Sequence, residues 1–338
     1  MNKNKLTLKE IAELAGTSTA TVSRILNQTG RYSKKTEKKV LEIVDQYGYT
    51  INTVAKSLRN NQTKTIGLMV PEITNEFYSK IAFYCEQYLH QFGYSLFICS
   101  TNNSIENEKN YLSDFISKSV DGIIAVSSFQ NVPKTFHNAH IPAVALDRIS
   151  TTHPNIPSIL TNEYQGSFQA TEHLIQKGCQ NIIALIPTAY DNLPSRRTQG
   201  FLDAMSQYNK DIHTYTYTPM ETSQSSGTDA ESIVFDLIKK YPIDGIYCGS
   251  DRIALGALYG CRRCHKDVPK DIKIIGFDNS TYSQLPTPSL STIGRSSKQL
   301  SEKACKLLLD IINGQEDMDG QHIYESIRLI ERESTKTN

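Results

Sequence analysis

The 338-residue chain has no tryptophan, and none of its apolar runs approaches the ~18 residues of a membrane span. Its opening, MNKNKLTLKEIAELAG, is polar and charged from the first turn. That start lacks the apolar core of a secretory signal, so a cytoplasmic location is expected. The familiar catalytic signatures GxSxG, GxxxxGK(S/T) and HExxH are missing. The eight histidines are dispersed, and the serine clusters at 127–129 and 223–227 have no neighbouring base. No enzymatic activity is expected.

Cysteine is scattered, with one cluster. Cys261-Arg262-Arg263-Cys264-His265 spells the haem-attachment pattern CxxCH. Covalent attachment normally follows export, and without a second CxxC a structural zinc site lacks two ligands. These residues read as part of an amphipathic helix, and no metal or other cofactor is expected. The C-terminal RLIERESTKTN is polar and too short to supply repeated a and d positions of a leucine heptad, so a tetramer is not expected.

What the chain does have is a charge asymmetry hidden in a net charge of +1. Residues 1–64 hold twelve Lys and Arg against five Asp and Glu, a net +7, while the rest holds 24 against 30, a net −6. A short basic segment on a large acidic body suits a polyanion-binding head on a separate chassis.

That head reads as three short helices. Thr7 and Glu10 form a capping box, after which Ile11, Leu14 and Ala15 are expected on one face, with Gly16 as the stop. Ser18 caps a second helix with Val22, Ile25 and Leu26 inward. Ser33 caps a third, with Val40, Ile43, Val44 and Tyr47 at helical spacing and Gly48 at its end. Two short helices joined by a small-residue turn and propped by a third make a helix-turn-helix unit, whose second helix enters the major groove. The hydroxyls of Ser18, Thr19, Thr21 and Ser23 allow close approach to phosphates. Arg24 can fork onto a guanine edge, worth ~1–3 kcal/mol of discrimination. Arg31, Lys34, Lys35, Lys38 and Lys39 add salt-sensitive, sequence-blind affinity.

Residues 6–27, LTLKEIAELAGTSTATVSRILN, resemble the DNA-binding head of LacI/GalR-family bacterial transcriptional repressors. The likeness continues through GRYSKKTEKKVLEIVDQYGY and NTVAKSLRNNQTKTIGLMVP and on to about residue 334. It implies that Thr19, Ala20 and Arg24 choose operator bases, with Ser18, Thr21, Ser23, Asn27, Arg31 and Ser33 around them. It also implies a hinge helix from Asn52 to Arg59, including Ala55, whose Leu58 wedges into the minor groove and kinks the duplex. Ile51 departs from the family, which usually has proline there.

Beyond residue 64, short apolar runs alternate with amphipathic stretches. The runs at 65–70, 95–99, 122–126, 143–147, 181–186, 213–217, 245–249 and 273–277 read as strands, and 76–92, 106–118, 164–177, 228–240, 252–265 and 297–313 as helices. Such alternation predicts doubly wound parallel sheets in two series. The fold class expected is therefore a small all-α helix-turn-helix head plus an α/β core of two doubly wound parallel-sheet lobes, similar to periplasmic binding proteins. The resemblance supplies interleaved boundaries: head 1–51, hinge helix and linker 52–63, N-terminal lobe 64–162 with 293–323, and C-terminal lobe 163–292 with 324–338.

Ligands in such sheets bind beyond the carboxyl ends of the strands. The residues there are Asn75, Phe77 and Tyr78, then Ser127 and Ser128, Asp147 and Arg148, Asn162, Ser250 and Asp251, and Asp278 and Asn279. The resemblance adds Arg197, before Thr198-Gln199-Gly200-Phe201, as the effector-binding arginine. It also adds Arg295, which stands where the lactose-operon repressor has glutamine. Carboxylates, guanidiniums and an aromatic face suit a sugar, and the added cation at Arg295 extends the expectation to a sugar phosphate. An aspartate after a strand also serves as a helix cap, the alternative for Asp251 and Asp278.

The expected protein is thus a repressor of carbohydrate-utilisation genes, dimeric through its core, on a pseudo-palindromic operator in the bacterial nucleoid. Two alternatives share parts of this reading. One is a catabolite-control-type regulator with a phosphorylated carrier protein as corepressor. The other is a solute-binding transport component, which residues 65–334 alone would permit.

Overall fold

The computed structural model describes residues 6–49, 62–126, 139–149, 153, 155–187, 195–210, 213–217, 226–314 and 320–336. Two compact units divide at Thr63 and Lys64. Among the described residues no helix is long and apolar enough to cross a membrane.

In the first unit α1 (Leu8–Ala15) opens on a complete capping box: the Glu10 carboxylate accepts from the Thr7 amide at 2.6 Å, and the Thr7 hydroxyl accepts from the Glu10 amide at 3.3 Å. Gly16 ends the helix in the left-handed region, at φ 67°. Ser18 caps α2 (Thr19–Leu26) and Ser33 caps α3 (Lys34–Tyr47), each accepting a main-chain N–H at 3.1 Å. The three helices bury Ile11, Ala12, Ala15, Val22, Ile25 and Val40 in one core. Two expected core positions differ. Leu14 and Tyr47 are exposed, at 46% and 52%. The buried stripe of α1 is 11, 12 and 15, and Leu14 falls on its flank because successive residues turn by about 100°.

The second unit holds two six-stranded sheets. The N-terminal sheet is built from β1 (Thr65–Val70), β2 (Ser95–Ser100), β3 (Gly122–Ala125), β4 (Ala143–Leu146), β5 (Ser158–Thr161) and β11 (His322–Glu325). Its order is β11-β5-β4-β3-β1-β2, parallel throughout. The C-terminal sheet uses β6 (Ile182–Pro187), β7 (His213–Tyr217), β8 (Gly245–Cys248), β9 (Lys273–Asp278), β10 (Ser291–Gly294) and β12 (Arg328–Ile330). Its order is β12-β10-β9-β8-β6-β7, with β12 alone antiparallel. Helices α4 (Glu76–Gln91), α5 (Ile105–Ser117) and α11 (Ser297–Ile312) belong to the first sheet. The second carries α6 (Glu163–Gln176), α7 (Arg196–Gln207), α8 (Ser226–Lys240), α9 (Asp251–Arg263) and the short α10 (Thr281–Gln284).

The chain passes between lobes three times, at Asn162, at 295–296 and at 326–327. The expected boundary at 293 falls inside β10, and that between 323 and 324 falls inside β11, so both move a few residues on. The strands β5, β10, β11 and β12 and the helices α7 and α10 were absent from the expected elements. The sequence of β10, STIG, buries two hydroxyl residues rather than an apolar run, and α7 opens on a pair of arginines. Cys261 is fully buried in the α9 core, and Cys264 lies at the end of that helix with its thiol donating to the Phe235 carbonyl at 3.5 Å.

Two close approaches fix the C-terminal lobe. A Cβ on Gly200 would sit 2.2 Å from the Tyr164 carbonyl oxygen, so glycine lets α7 and α6 touch. Asp251, in the first turn of α9, accepts from the Ser280 amide at 2.6 Å, the Ser280 hydroxyl at 3.0 Å and the Thr292 hydroxyl at 2.5 Å. It thereby binds α9, the loop after β9 and β10 into one block. Burial, with Asp278 nearby, outweighs these bonds and raises the Asp251 carboxyl to about 7.

Gly200→Ala is expected to lower stability by about 1–3 kcal/mol, seen as a lower thermal midpoint. Because folding raises the Asp251 pKa, the folded state holds a proton that the unfolded chain has released. Stability therefore falls as pH rises from about 4 to about 7 and levels off above. Denaturant titrations across that window should show a shallower slope for Asp251→Asn.

Candidate DNA-reading helix and effector cleft

On α2 the buried Val22 and Ile25 leave Thr19, Ala20 and Arg24 exposed together. The Ser18 and Thr21 hydroxyls are hydrogen-bonded to each other at 2.9 Å, which holds the first turn. Asn27 closes the helix by donating its side-chain amide to the Ser23 carbonyl at 2.7 Å. The turn beyond depends on Gly30 at φ 74°, where a Cβ would press on the Arg24 Cδ at 3.4 Å. Arg24 therefore runs past that turn with its guanidinium in solvent. Arg31, Lys34, Lys35, Lys38 and Lys39 are all exposed, and Ser33 caps α3 beside them. The result is one N-terminal helical turn of small side chains, an exposed arginine and a surrounding field of cations. Asn52, Ala55 and Leu58 lie outside the described residues.

In the core, the expected cleft residues gather where the strands end. Arg295, at the second crossing, donates from Nη1 to Asp147 Oδ2 at 2.7 Å and from Nε to Asp278 Oδ1 at 2.8 Å. Asp147 follows β4 of one lobe and Asp278 ends β9 of the other, so one guanidinium bridges the lobes. The guanidinium carbon stands 3.4 Å from the centroid of the Phe77 ring. The side chains of Arg295, Asp147 and Asp278 are only 4%, 7% and 13% exposed. Burial alone would lower the Arg295 pKa, but Asp147 and Asp278 more than reverse it, and the charge is secure. Asp278 itself is raised, by burial, against the pull of Arg295 and Arg197.

Arg197 has a partner that the sequence reading missed. Its Nη2 donates to Glu163 Oε1 at 2.5 Å, its Nη1 to the Gly249 carbonyl, and its guanidinium lies 4.0 Å from the Phe277 ring centroid. Glu163 is driven up by burial but brought below the usual carboxylate range by Arg197, Arg295 and Arg148. Asn75, Asn162 and Ser250 are helix N-caps. Asn75 accepts from the Phe77 amide at 3.0 Å, Asn162 from the Gln165 amide at 3.1 Å, and Ser250 from the Ile253 amide at 3.3 Å. Each oxygen is thus fixed in direction. Arg148 is exposed beside Asp147, while Ser127 lies outside the described residues.

Asp251 does not belong to this group, because its carboxylate is engaged by Ser280 and Thr292 inside the lobe. The sequence also gave no sign of a second tie between lobes. Glu76, in the first turn of α4, accepts from the Thr281 amide at 3.1 Å and from its hydroxyl, with Lys80 at 2.5 Å. Around the cleft stand three carboxylates (Asp147, Glu163, Asp278) and three guanidiniums (Arg148, Arg197, Arg295). The carboxylates and guanidiniums balance.

Comparison with known proteins matches residues 7–52 to the bacterial regulatory proteins of the lacI family, and residues 171–335 to the periplasmic binding protein-like domain. The transcriptional repressor PurR of Actinobacillus pleuropneumoniae is 34% identical over 308 residues, covering 90% of this chain and 91% of that protein. A LacI-type regulator from Alkaliphilus metalliredigens, solved in complex with D-xylulofuranose, is 32% identical with a TM-score of 0.70, covering 81% of this chain and 100% of that one. The lac repressor dimer bound to operator and the anti-inducer ONPF shares the fold at 24% identity and a TM-score of 0.83, covering 99% of this chain and 100% of that one. The chain belongs to the lacI family of bacterial regulatory proteins and is a DNA-binding transcriptional repressor.

Proposed function

We propose that this repressor acts as a homodimer on a pseudo-palindromic operator of carbohydrate-utilisation genes, released or recruited by an uncharged, polyhydroxylated small molecule held between its core lobes. The observation that carries the ligand class is the balanced cleft. Arg295 is engaged by two carboxylates and Arg197 by a third, so neither is available to a phosphate. The oriented carboxylate oxygens and cap amides suit vicinal hydroxyls. Phe77, expected as the stacking surface, is only 4% exposed with the Arg295 guanidinium over its ring, and so backs that arginine instead. The pentulose held by the Alkaliphilus relative is of this chemistry. The balance therefore favours a neutral sugar over a sugar phosphate in this cleft, and nothing in it calls for a carrier protein.

Thr19, Ala20 and Arg24 read bases in this proposal, with Ser18, Thr21, Ser23, Asn27, Arg31 and Ser33 positioning the helix on phosphates. The hinge from Asn52 to Arg59 places Ala55 and Leu58 in the minor groove. Asn75, Phe77, Ser127, Asp147, Arg148, Asn162, Arg197, Ser250, Asp278 and Arg295 surround the ligand. Pairing of two chains through the core is supported by large apolar side chains exposed on both lobes, Phe83 and Ile98 on one and Tyr259 and Leu285 on the other. Ligand acts through its differential affinity for two lobe arrangements. The repressor works in the cytoplasm, on the nucleoid.

Arg24→Ala is expected to cost about 1–3 kcal/mol of discrimination between operator and mismatched DNA by fluorescence anisotropy, with ligand binding unchanged. A thermal-shift screen of neutral sugars and their phosphates tests the ligand class. Stabilisation by neutral sugars that is lost in Asp147→Asn supports the proposal, and a cleft that answers to phosphorylated sugars alone overturns it. Arg295→Ala leaves two buried carboxylates without their shared cation, expected to cost about 3–5 kcal/mol and to widen the ligand-free core in small-angle scattering.

A further inference from the structure

Cys261 and Cys264 close α9 in a turn tighter than the rest of the helix. The Cys264 amide donates both to the Gly260 carbonyl at 3.3 Å and to the Cys261 carbonyl at 3.0 Å. The shorter, three-residue bond gives this turn 3-10 character, in which side chains three apart stand one above the other. Beyond it the Lys266 amide donates to the Cys261 carbonyl and the His265 amide to the Arg262 carbonyl, both at 3.0 Å, with His265 at φ 55°. These two bonds hold the turn from the outside. Helix neighbours three apart have Cβ atoms about 5–6 Å from each other, and the tighter turn brings that toward the span of a disulfide.

The two thiols differ in access. Cys261 is fully buried, in the core cluster that includes Ala257 and Leu258. Burial pushes its thiol up to about 12, so attack on an oxidant does not begin there. Cys264 is half-buried, whereas the other six cysteines are buried. Its thiol donates to the Phe235 carbonyl on α8 at 3.5 Å. Two cations stand over the Phe235 ring, the Arg263 guanidinium carbon 4.3 Å and the Lys239 ammonium 3.7 Å from its centroid. Glu231, on the same helix, is taken up by Arg263 at 3.0 Å. Arg262, His265 and Lys266 lie exposed on either side of Cys264 in the chain. A partly exposed thiol in electropositive surroundings, with a second thiol one turn away, has the arrangement of an oxidised cysteine and its resolving partner.

We propose that Cys264 is a site of oxidation by hydroperoxides and closes a reversible disulfide with Cys261. Cys264 Sγ attacks one peroxide oxygen and the O–O bond breaks. The other oxygen leaves as water or alcohol with the thiol proton, and Cys264 becomes a sulfenic acid. Cys261 Sγ then attacks Cys264 Sγ, the S–O bond breaks, and the hydroxyl leaves as water with the Cys261 proton. Two thiols are thus oxidised by two electrons as one hydroperoxide is reduced. The bridge draws Cys261 out of its core position and fixes the turn that carries Arg262, whose guanidinium donates to the Thr287 carbonyl. The packing of α9 on α8 has no slack to absorb this, since a Cβ on Gly260 would already sit 2.7 Å from the Glu231 carbonyl oxygen.

The test treats the full-length reduced chain with hydrogen peroxide and maps its thiols. Trypsin cuts after Arg262 and after Arg263, so Cys261 and Cys264 stay together after digestion only when they are bridged. A linked peptide pair is expected, with two of the seven thiols lost and both restored by dithiothreitol. Cys264 is expected to react about tenfold or more faster than the buried cysteines. Cys264→Ser, at a half-buried position, should keep all its remaining thiols at the same peroxide dose. In Cys261→Ala the reaction should halt at the sulfenic acid, captured on residue 264 by dimedone. Seven intact thiols after millimolar peroxide overturn the proposal. So does a bridge joining another pair, such as Cys85 with Cys305 or Cys248 with Cys261, or one joining Cys264 of two chains.

Discussion

One guanidinium between two carboxylates organises the core. Asp147 and Asp278 belong to different lobes, and each is almost out of water when the lobes meet. Two such charges repel and are poorly solvated, so the closed arrangement depends on a cation placed between them. Arg295 sits on the chain segment that crosses from one lobe to the other, and the face of Phe77 limits where its guanidinium can lie. The two lobes are therefore joined by charge at the point where they are also joined by covalent bonds. The tie between Glu76 and Thr281 repeats the connection at the rim.

The backbone around this bridge is held in conformations that side chains normally avoid. Asp147 has φ 61°, Asp278 φ 112° and Asn279 φ 57°. Each such residue costs about 1–3 kcal/mol unless its surroundings enforce it. Here they do. Thr161 donates to Asp147 at 3.3 Å, Arg332 donates to Asn279 at 2.5 Å, and Asp251 accepts from Ser280 next in line. The carboxylates of Asp147 and Asp278 are thus held in fixed directions, and these bonds offset the strain.

Much of this was legible in the sequence, for a physical reason that also marks where legibility ended. The caps of the head are local, so Thr7 with Glu10, Ser18 and Ser33 announced three helices without tertiary help. Of the twelve described strands eight were visible as runs, six of them (β1, β3, β4, β6, β8 and β9) because a buried parallel strand is apolar on both faces. β10 was hidden because Ser291 and Thr292 are buried by bonding to Arg332 and Asp251, a satisfaction that comes from distant chain. The same applies to the cleft. Strand ends pointed to Asp147 and Asp278, and family likeness to Arg197 and Arg295. No spacing revealed that Arg295 would lie between two of these and Arg197 against Glu163, pairings that span up to 148 residues. An arginine read as a spare positive charge proved to be a matched one.

The three crossings between lobes have a consequence for how the molecule is made. Residues 6–49 contain every element of the head's own core, so that unit has all its partners soon after it leaves the ribosome. Neither sheet of the core enjoys that advantage. The first waits for α11 and β11 and the second for β12, all drawn from the last forty or so residues. Pairing of such distant segments is intrinsically slow, and open sheet edges wait exposed in the interval. During synthesis the helical head is thus complete long before the two-lobed core that follows it.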